Sequence, residues 1–284
     1  MVQASLNFVG DTAQRPFVDV NRADRNRLPL VAHDVEIRDA RPLAGQFLLN
    51  NEGFVLVDQK LPNVDFTDED DIVRRYLPSI QELVSAVVSP DRIVTSDGPV
   101  VRYSQAALLR GNAAYPANFV HTDYTDQAAR KHMLASYDRS LPEPDGRDDV
   151  RDLLGALDAP SGERRFKRVL AVQTWRVFSN PPHDKPLAIC AANSVSPEDF
   201  VEYDYVIGDR EGEVYQAYVY RHNPRQRWYS FLDLTPDEVL VFIGYDFQRP
   251  YSCVMHAAFD NPLCPPGAPG RCSIEARTFA FFED

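Results

Sequence analysis

His121 and Asp123 stand two residues apart in the stretch Asn118-Phe119-Val120-His121-Thr122-Asp123-Tyr124-Thr125. On an extended segment side chains alternate, so the two project to one face. An imidazole and a carboxylate so placed are two ligands of a 2-His-1-carboxylate iron site, given a second histidine from elsewhere. The triplet alone proves nothing. With six histidines and 42 acidic residues in 284 positions, one His-x-Asp/Glu is expected about once by chance. It is, however, the only one, and it precedes a strand-rich half that carries His256 on the segment Ser252–Phe259.

One more strand follows His256, and it bears arginines. That order is what a double-stranded β-helix oxygenase requires: two ligands from an early strand, one from a late strand, and a cation on the last. Three protein ligands would occupy one face of an octahedral Fe(II), leaving the other for a chelating 2-oxo acid and then O2. A guanidinium suits the 2-oxo acid's far carboxylate because its planar fork pairs bidentately. Arg271, Ser273, Glu275, Arg277, Phe279 and Phe281 share one parity, so both arginines face the same way. Arg277 lies in an apolar strand, where a charge needs a partner; that partner is either the co-substrate or a structural carboxylate such as Glu275. Arg271, in a Gly/Cys turn, is expected to be solvated and at most to assist.

The elements that must position these groups can be read from periodicity. Residues 1–66 read as short strands and turns. A helix is expected from Thr67, with Asp68, Glu69 and Asp70 in its first turn and Ile72, Val73, Tyr76, Leu77, Ile80, Leu83, Val84 and Val87 on the 3.6 period. Pro78 inside it predicts a kink or two shorter helices. Asp91–Thr95 and Val100–Tyr103 read as strands, Thr125 as a helix cap, and 140–165 as a loop-rich insertion with one short helix near 150–157. From Arg168 onward strands dominate: Val169–Phe178, Leu187–Ala191, Val214–Arg221, Arg227–Leu232, Glu238–Tyr245, Ser252–Phe259 and Ser273–Phe282. The fold expected is mainly β with flanking helices (α+β) around a double-stranded β-helix, a jelly-roll or cupin-like core. Residues 1–284 are taken as one domain, with N-terminal strands and packing helix to about 100 and the core from 101.

Composition narrows the function classes. A net charge of -12 argues against nucleic acid as a partner. Apolar runs such as Val169–Val172 are far too short to span a membrane, and the N-terminus shows no secretory pattern. Cys190, Cys253, Cys264 and Cys272 show no CxxC spacing and are read as free thiols, which favours a cytoplasmic location. A small-molecule substrate is the partner expected, with a homodimer as the assembly. Tyr124 and Trp175 are pocket-lining or core aromatics, and Tyr103, Gln105, Asn193 and Tyr229 could orient substrate or co-substrate. His132, His183 and His222 are read as surface residues.

Five segments resemble the fungal-type hydroxylase/desaturase family. They are Val120–Thr125; Trp175-Arg176-Val177-Phe178; Lys185–Cys190; Arg227-Trp228-Tyr229-Ser230-Phe231 with Thr235–Leu240; and His256–Asp260 with Ser273–Arg277. The likeness runs from about Asp39 to Phe282. It implies a non-haem Fe(II), 2-oxoglutarate-dependent oxygenase of secondary metabolism that hydroxylates, desaturates or cyclises its substrate. By the resemblance His121, Asp123 and His256 bind iron, Arg277 holds the distal carboxylate, and Arg176 contacts co-substrate or substrate. The stretch Thr95–Arg102 and the segment Cys190-Ala191-Ala192-Asn193 depart from the family pattern, which bears on the substrate rather than the iron. Two other readings use the same residues differently: a cupin-like metal isomerase or hydrolase without 2-oxoglutarate, and a catalytically silent β-barrel binding protein.

Overall fold

The structure is a computed structural model that describes residues 1–19, 22–96, 98–104, 116–140, 166–206 and 214–283. Strands are numbered in chain order. One sheet runs β1 (Val2–Val9), β3 (Leu30–Asp39), β12 (Trp228–Ser230), β9 (Leu187–Cys190), β14 (His256–Ala258), β7 (His121–Thr122), β11 (Tyr215–Tyr220), β10 (Phe200–Val206) and β2 (Phe17–Asp19). The other runs β4 (Phe54–Asp58), β13 (Glu238–Asp246), β8 (Phe166–Val177), β15 (Cys272–Glu283) and β5 (Arg92–Thr95), with β6 (Val100–Tyr103) beside the first half of β15. Neighbours in each sheet come from distant parts of the sequence, as in a jelly-roll. The expected mainly-β core is therefore present.

Alternation decides what each face does. On β8, Trp175 and Val177 join Phe54, Ile189, Tyr229, Leu240 and Phe242 in a core shared by the two sheets. Leu170 and Val172 point the other way, onto Ile72, Tyr76, Ile80 and Val84 of the packing helix. Burying such side chains from water, at about 25 cal/mol per Å² of apolar surface, fixes both registers, because a one-residue slip would exchange the faces.

The helix begins one residue later than expected. Asp68 is the cap, its side chain accepting from the backbone of Asp70 and Asp71, and α1 (Glu69–Asp71) leads into a π turn, Ile72–Tyr76, and then α2 (Leu77–Val88). Pro78 has no N–H to bond the carbonyl four residues back, so the ladder widens just before it. Thr125 does cap α3 (Asp126–Ser140), accepting from the Ala128 N–H at 3.2 Å.

β1 reads only as part of a run of short strands and turns, and β10 escapes the periodicity reading. The eight residues of β1 alternate buried and exposed over most of their length. In β10, Val201, Tyr203 and Tyr205 alternate with Glu202 and Asp204. The segment Ser252–Phe259 is shorter than expected, regular only at His256–Ala258. His183 is not a surface residue: it is 2% exposed, with Nε2 at 2.8 Å from the Leu234 carbonyl. All four cysteines are free. The insertion at 140–165, its short helix and Gln105 lie outside the described residues. Among the described residues no helix is long and apolar enough to cross a membrane.

Candidate active site

His121 and His256 meet because β7 and β14 are hydrogen-bonded neighbours and the two residues are direct partners in the register. Their ring centroids are 4.6 Å apart. Each Nδ1 faces a backbone carbonyl two residues back, Phe119 at 2.9 Å and Val254 at 3.1 Å. A carbonyl only accepts, so each Nδ1 carries the proton and each Nε2 presents a lone pair. Asp123, just beyond β7, brings Oδ1 to 3.7 Å from His121 Nε2. The three ligand atoms lie within 4.8 Å of one another. Two imidazole lone pairs and one carboxylate oxygen facing a common point are a fit donor set for Fe(II). Burial, aided by the neighbouring His256, pushes the His121 imidazolium down to about 4, so at neutral pH no proton competes for its lone pair.

The second oxygen of Asp123 is held from the opposite sheet. Arg277 donates to Oδ2 through Nε at 3.0 Å and Nη2 at 2.6 Å, and Gln173 Nε2 donates to the same atom at 2.7 Å. Burial alone would raise the carboxyl, but the Arg277 charge holds it well below the usual carboxylate range. Next along β15, Glu275 accepts from Arg102 Nε at 2.7 Å. Burial opposes the Glu275 charge; Arg102 and Arg277 together outweigh it and keep this carboxyl low.

Arg271 departs from the expectation of a solvated turn residue: it is 1% exposed. Its guanidinium carbon lies 5.3 Å from the centre of the Trp175 ring. Nε and Nη2 have no hydrogen-bond partner among the described residues, nor do Trp175 Nε1 and Ser273 Oγ, which face the same interior. Burial pushes the Arg271 guanidinium down to about 10, against the pull of Glu275. A buried cation with idle donors is a receptor for an anion.

Other residues expected at the site are elsewhere. Arg176 has the opposite parity to Gln173 and Trp175; it donates to Gln59 and stands 5.6 Å from the Tyr76 ring on the helix side. Tyr103 faces the same outer side and packs edge-on against Phe178, because Arg102 takes the inward position opposite Ser273. Asn193 is exposed and bonded to Asn51 and Arg227. Tyr229 packs between Phe47 and Phe54. Tyr124 is fully buried against His132 and Phe279, close enough to feel the Arg277 charge. Trp175 alone of these aromatics lines the interior beside an idle guanidinium. Sequence reading missed Gln173 and Arg102, along with Tyr203 and Tyr205, which share the His121 face of the first sheet. The signal available for Gln173 was the one that singled out Arg277, a polar side chain inside an apolar strand.

Known proteins resemble this chain in sequence and in fold. The chain is 28% identical over 257 residues to the Fe(II)/2-oxoglutarate-dependent dioxygenase nvfI of Aspergillus novofumigatus, covering 88% of this chain and 83% of the relative. It is 24% identical to the hydroxylase/desaturase efuI of Hormonema carpetanum, covering 100% and 96%. A solved structure of the iron and alpha-ketoglutarate-dependent endoperoxidase NvfI superposes with a TM-score of 0.82 at 24% identity, over 100% of this chain and 98% of that one. Fold, triad and relatives define the class: the protein is an oxidoreductase, a jelly-roll oxygenase of the Fe(II)/2-oxoglutarate-dependent kind. More particularly, residues 6–281 match the family described as oxidoreductase/YMDC permease-like domain, and the chain belongs to it.

Proposed function

We propose that His121, Asp123 and His256 hold Fe(II), and that Arg271, rather than Arg277, takes the distal carboxylate of 2-oxoglutarate. The observation that carries this is the buried Arg271 guanidinium with two idle nitrogens. Arg277 is too near the metal for the part, since it already grips the far oxygen of an iron ligand at 2.6 Å. The distal carboxylate of a chelating five-carbon acid lies a carbon chain away from the iron. Arg271 sits six residues back, immediately before β15, and lies over Trp175.

When bound, iron and 2-oxoglutarate supply an O2-dependent oxidation that yields succinate and CO2 and removes hydrogen from the substrate. The chain's own part is positioning. His121 and His256 present lone pairs that backbone carbonyls have oriented, Asp123 contributes one oxygen, and Arg271 sets the direction of the co-substrate. The aromatic and aliphatic interior excludes water. The substrate is a small molecule, oxidised by hydroxylation, desaturation or ring formation, in keeping with relatives named hydroxylase/desaturase. We read residues 1–284 as one oxygenase unit, because in both sheets strands from the first hundred residues form the edges and pair with strands from the last hundred.

Anaerobic titration tests the assignment: Fe(II) first, then 2-oxoglutarate, followed by the visible absorption of the chelate. Arg271→Met should bind iron normally and need at least about 30-fold more 2-oxoglutarate, the cost of truncating one partner of a buried charge pair. Normal co-substrate affinity in Arg271→Met, with loss in Arg277→Met, would reverse the two roles.

A further inference from the structure

Gln173 is 2% exposed on β8 and aims its amide at the metal site. Only the amide nitrogen can donate to a carboxylate, which fixes its orientation; Oε1 has no hydrogen-bond partner among the described residues. Directly behind it is Gly244 of β13. A Cβ there would stand 2.6 Å from Gln173 Oε1 and 3.0 Å from both Cδ and Cγ. The contact with Oε1 must be relieved by shifting the amide end of the side chain, the same end that donates to Asp123. Gly244 is also the extra residue of a β-bulge: the β13–β8 register shifts between Ile243 and Tyr245. Bulges of this kind re-aim side chains beside active sites. The Ile243 carbonyl accepts from the Val254 N–H at 2.9 Å, and Val254 in turn orients His256.

We infer that Gln173 is a positioning residue for the metal carboxylate, and that the Gly244 bulge exists to leave it room. With Gln173 and Arg277 both on Oδ2, Asp123 is presented to the metal through Oδ1 alone. A carboxylate free to rotate would chelate through both oxygens and occupy a coordination position that co-substrate or O2 needs. Arg277 supplies the charge; Gln173 supplies the second direction that stops the carboxylate swinging about that one contact. The inference rests on the metal reading of His121, Asp123 and His256.

Metal binding by the apo chain tests it without turnover. Mn(II) affinity is measured by titration, and Co(II) is used as a spectroscopic probe of coordination number. The wild type should bind one ion per chain; no binding would overturn the metal reading itself, and this inference with it. Given wild-type binding, Gln173→Met, which keeps the volume and loses the amide, should weaken Mn(II) affinity by about 10- to 100-fold and alter the Co(II) spectrum. Gly244→Ala should do the same with Gln173 still present, which covers the case where Gln173→Met fails to fold. In a Gln173→Ala background, where nothing is left to displace, Gly244→Ala should have no further effect. Unchanged affinity and spectrum in Gln173→Met overturn the role of Gln173. Equal loss from Gly244→Ala in both backgrounds overturns the role given to the bulge.

Discussion

The two walls of the barrel build the proposed metal site by opposite means. On the first sheet His121 and His256 are oriented by backbone carbonyls two residues away in sequence. On the second, Gln173 and Arg277 restrain Asp123 from 50 and 154 residues away. The first wall presents imidazoles, tyrosines and aliphatic side chains; the second carries Arg102, Arg271, Glu275 and Arg277. The lesson is a division of labour. Ligand lone pairs are set locally, by strand geometry alone, whereas charge is set by pairing across the barrel and depends on the whole fold closing.

Removing a ligand from the local wall gives the largest effect. His121→Ala or His256→Ala should abolish iron-dependent succinate formation while the circular dichroism of the apo protein stays that of a β fold. Succinate at the wild-type rate in either variant would sink the site. On the charged wall, Arg277→Met should weaken metal binding more than 2-oxoglutarate binding, and Arg271→Met the reverse, as two anaerobic titrations would show. If both arginines move the same constant, the charged wall is one field rather than two devices.

Arg102→Leu leaves Glu275 buried with its main partner gone, and should lower unfolding free energy in urea by about 3 kcal/mol. Arg102→Leu combined with Glu275→Leu should recover most of that loss; no recovery would mean that Arg102 matters through packing.

The most gradual effect is on pH. His121 is buried neutral, with its pKa lowered from 6.5 to about 4, so the unfolded chain binds the proton more readily. Stability is therefore complete above pH 6.5 and falls as the pH drops toward 4, by at most about 1.4 kcal/mol per unit. Urea melts of the apo protein across that range should show the slope, and His121→Phe should reduce it, leaving the part due to His183 and His222, which burial also lowers.

The difference between the walls also explains what the sequence let one read. The triad was legible because strand alternation and the order of His121, Asp123 and His256 need no knowledge of register. Most of the long strands were legible for the same reason. Arg277 was correctly singled out as a charge in an apolar strand, but its partner was not, since nothing local links it to Asp123. Arg271 was placed in solvent because Gly270 and Cys272 read as a turn; its burial follows from the second sheet folding over Trp175. Arg176 was chosen by the family resemblance and Tyr103 by residue type, and both point outward. Their strands pair with β15, and only that register, Ser273 opposite both Val177 and Arg102, reveals which residues face in.

The strands that carry the histidines are short: β7 has two residues and β14 has three. They join segments far apart in the chain through a single pair of facing residues, His121 and His256. A metal ion bound between them therefore acts as a cross-link as well as a reagent, closing a long stretch of polypeptide that the unfolded chain leaves open. By mass action, each tenfold excess of free metal over its dissociation constant adds about 1.4 kcal/mol to the folded state. Metal supply in the cell would then set how much of this protein persists as well as how much of it is active.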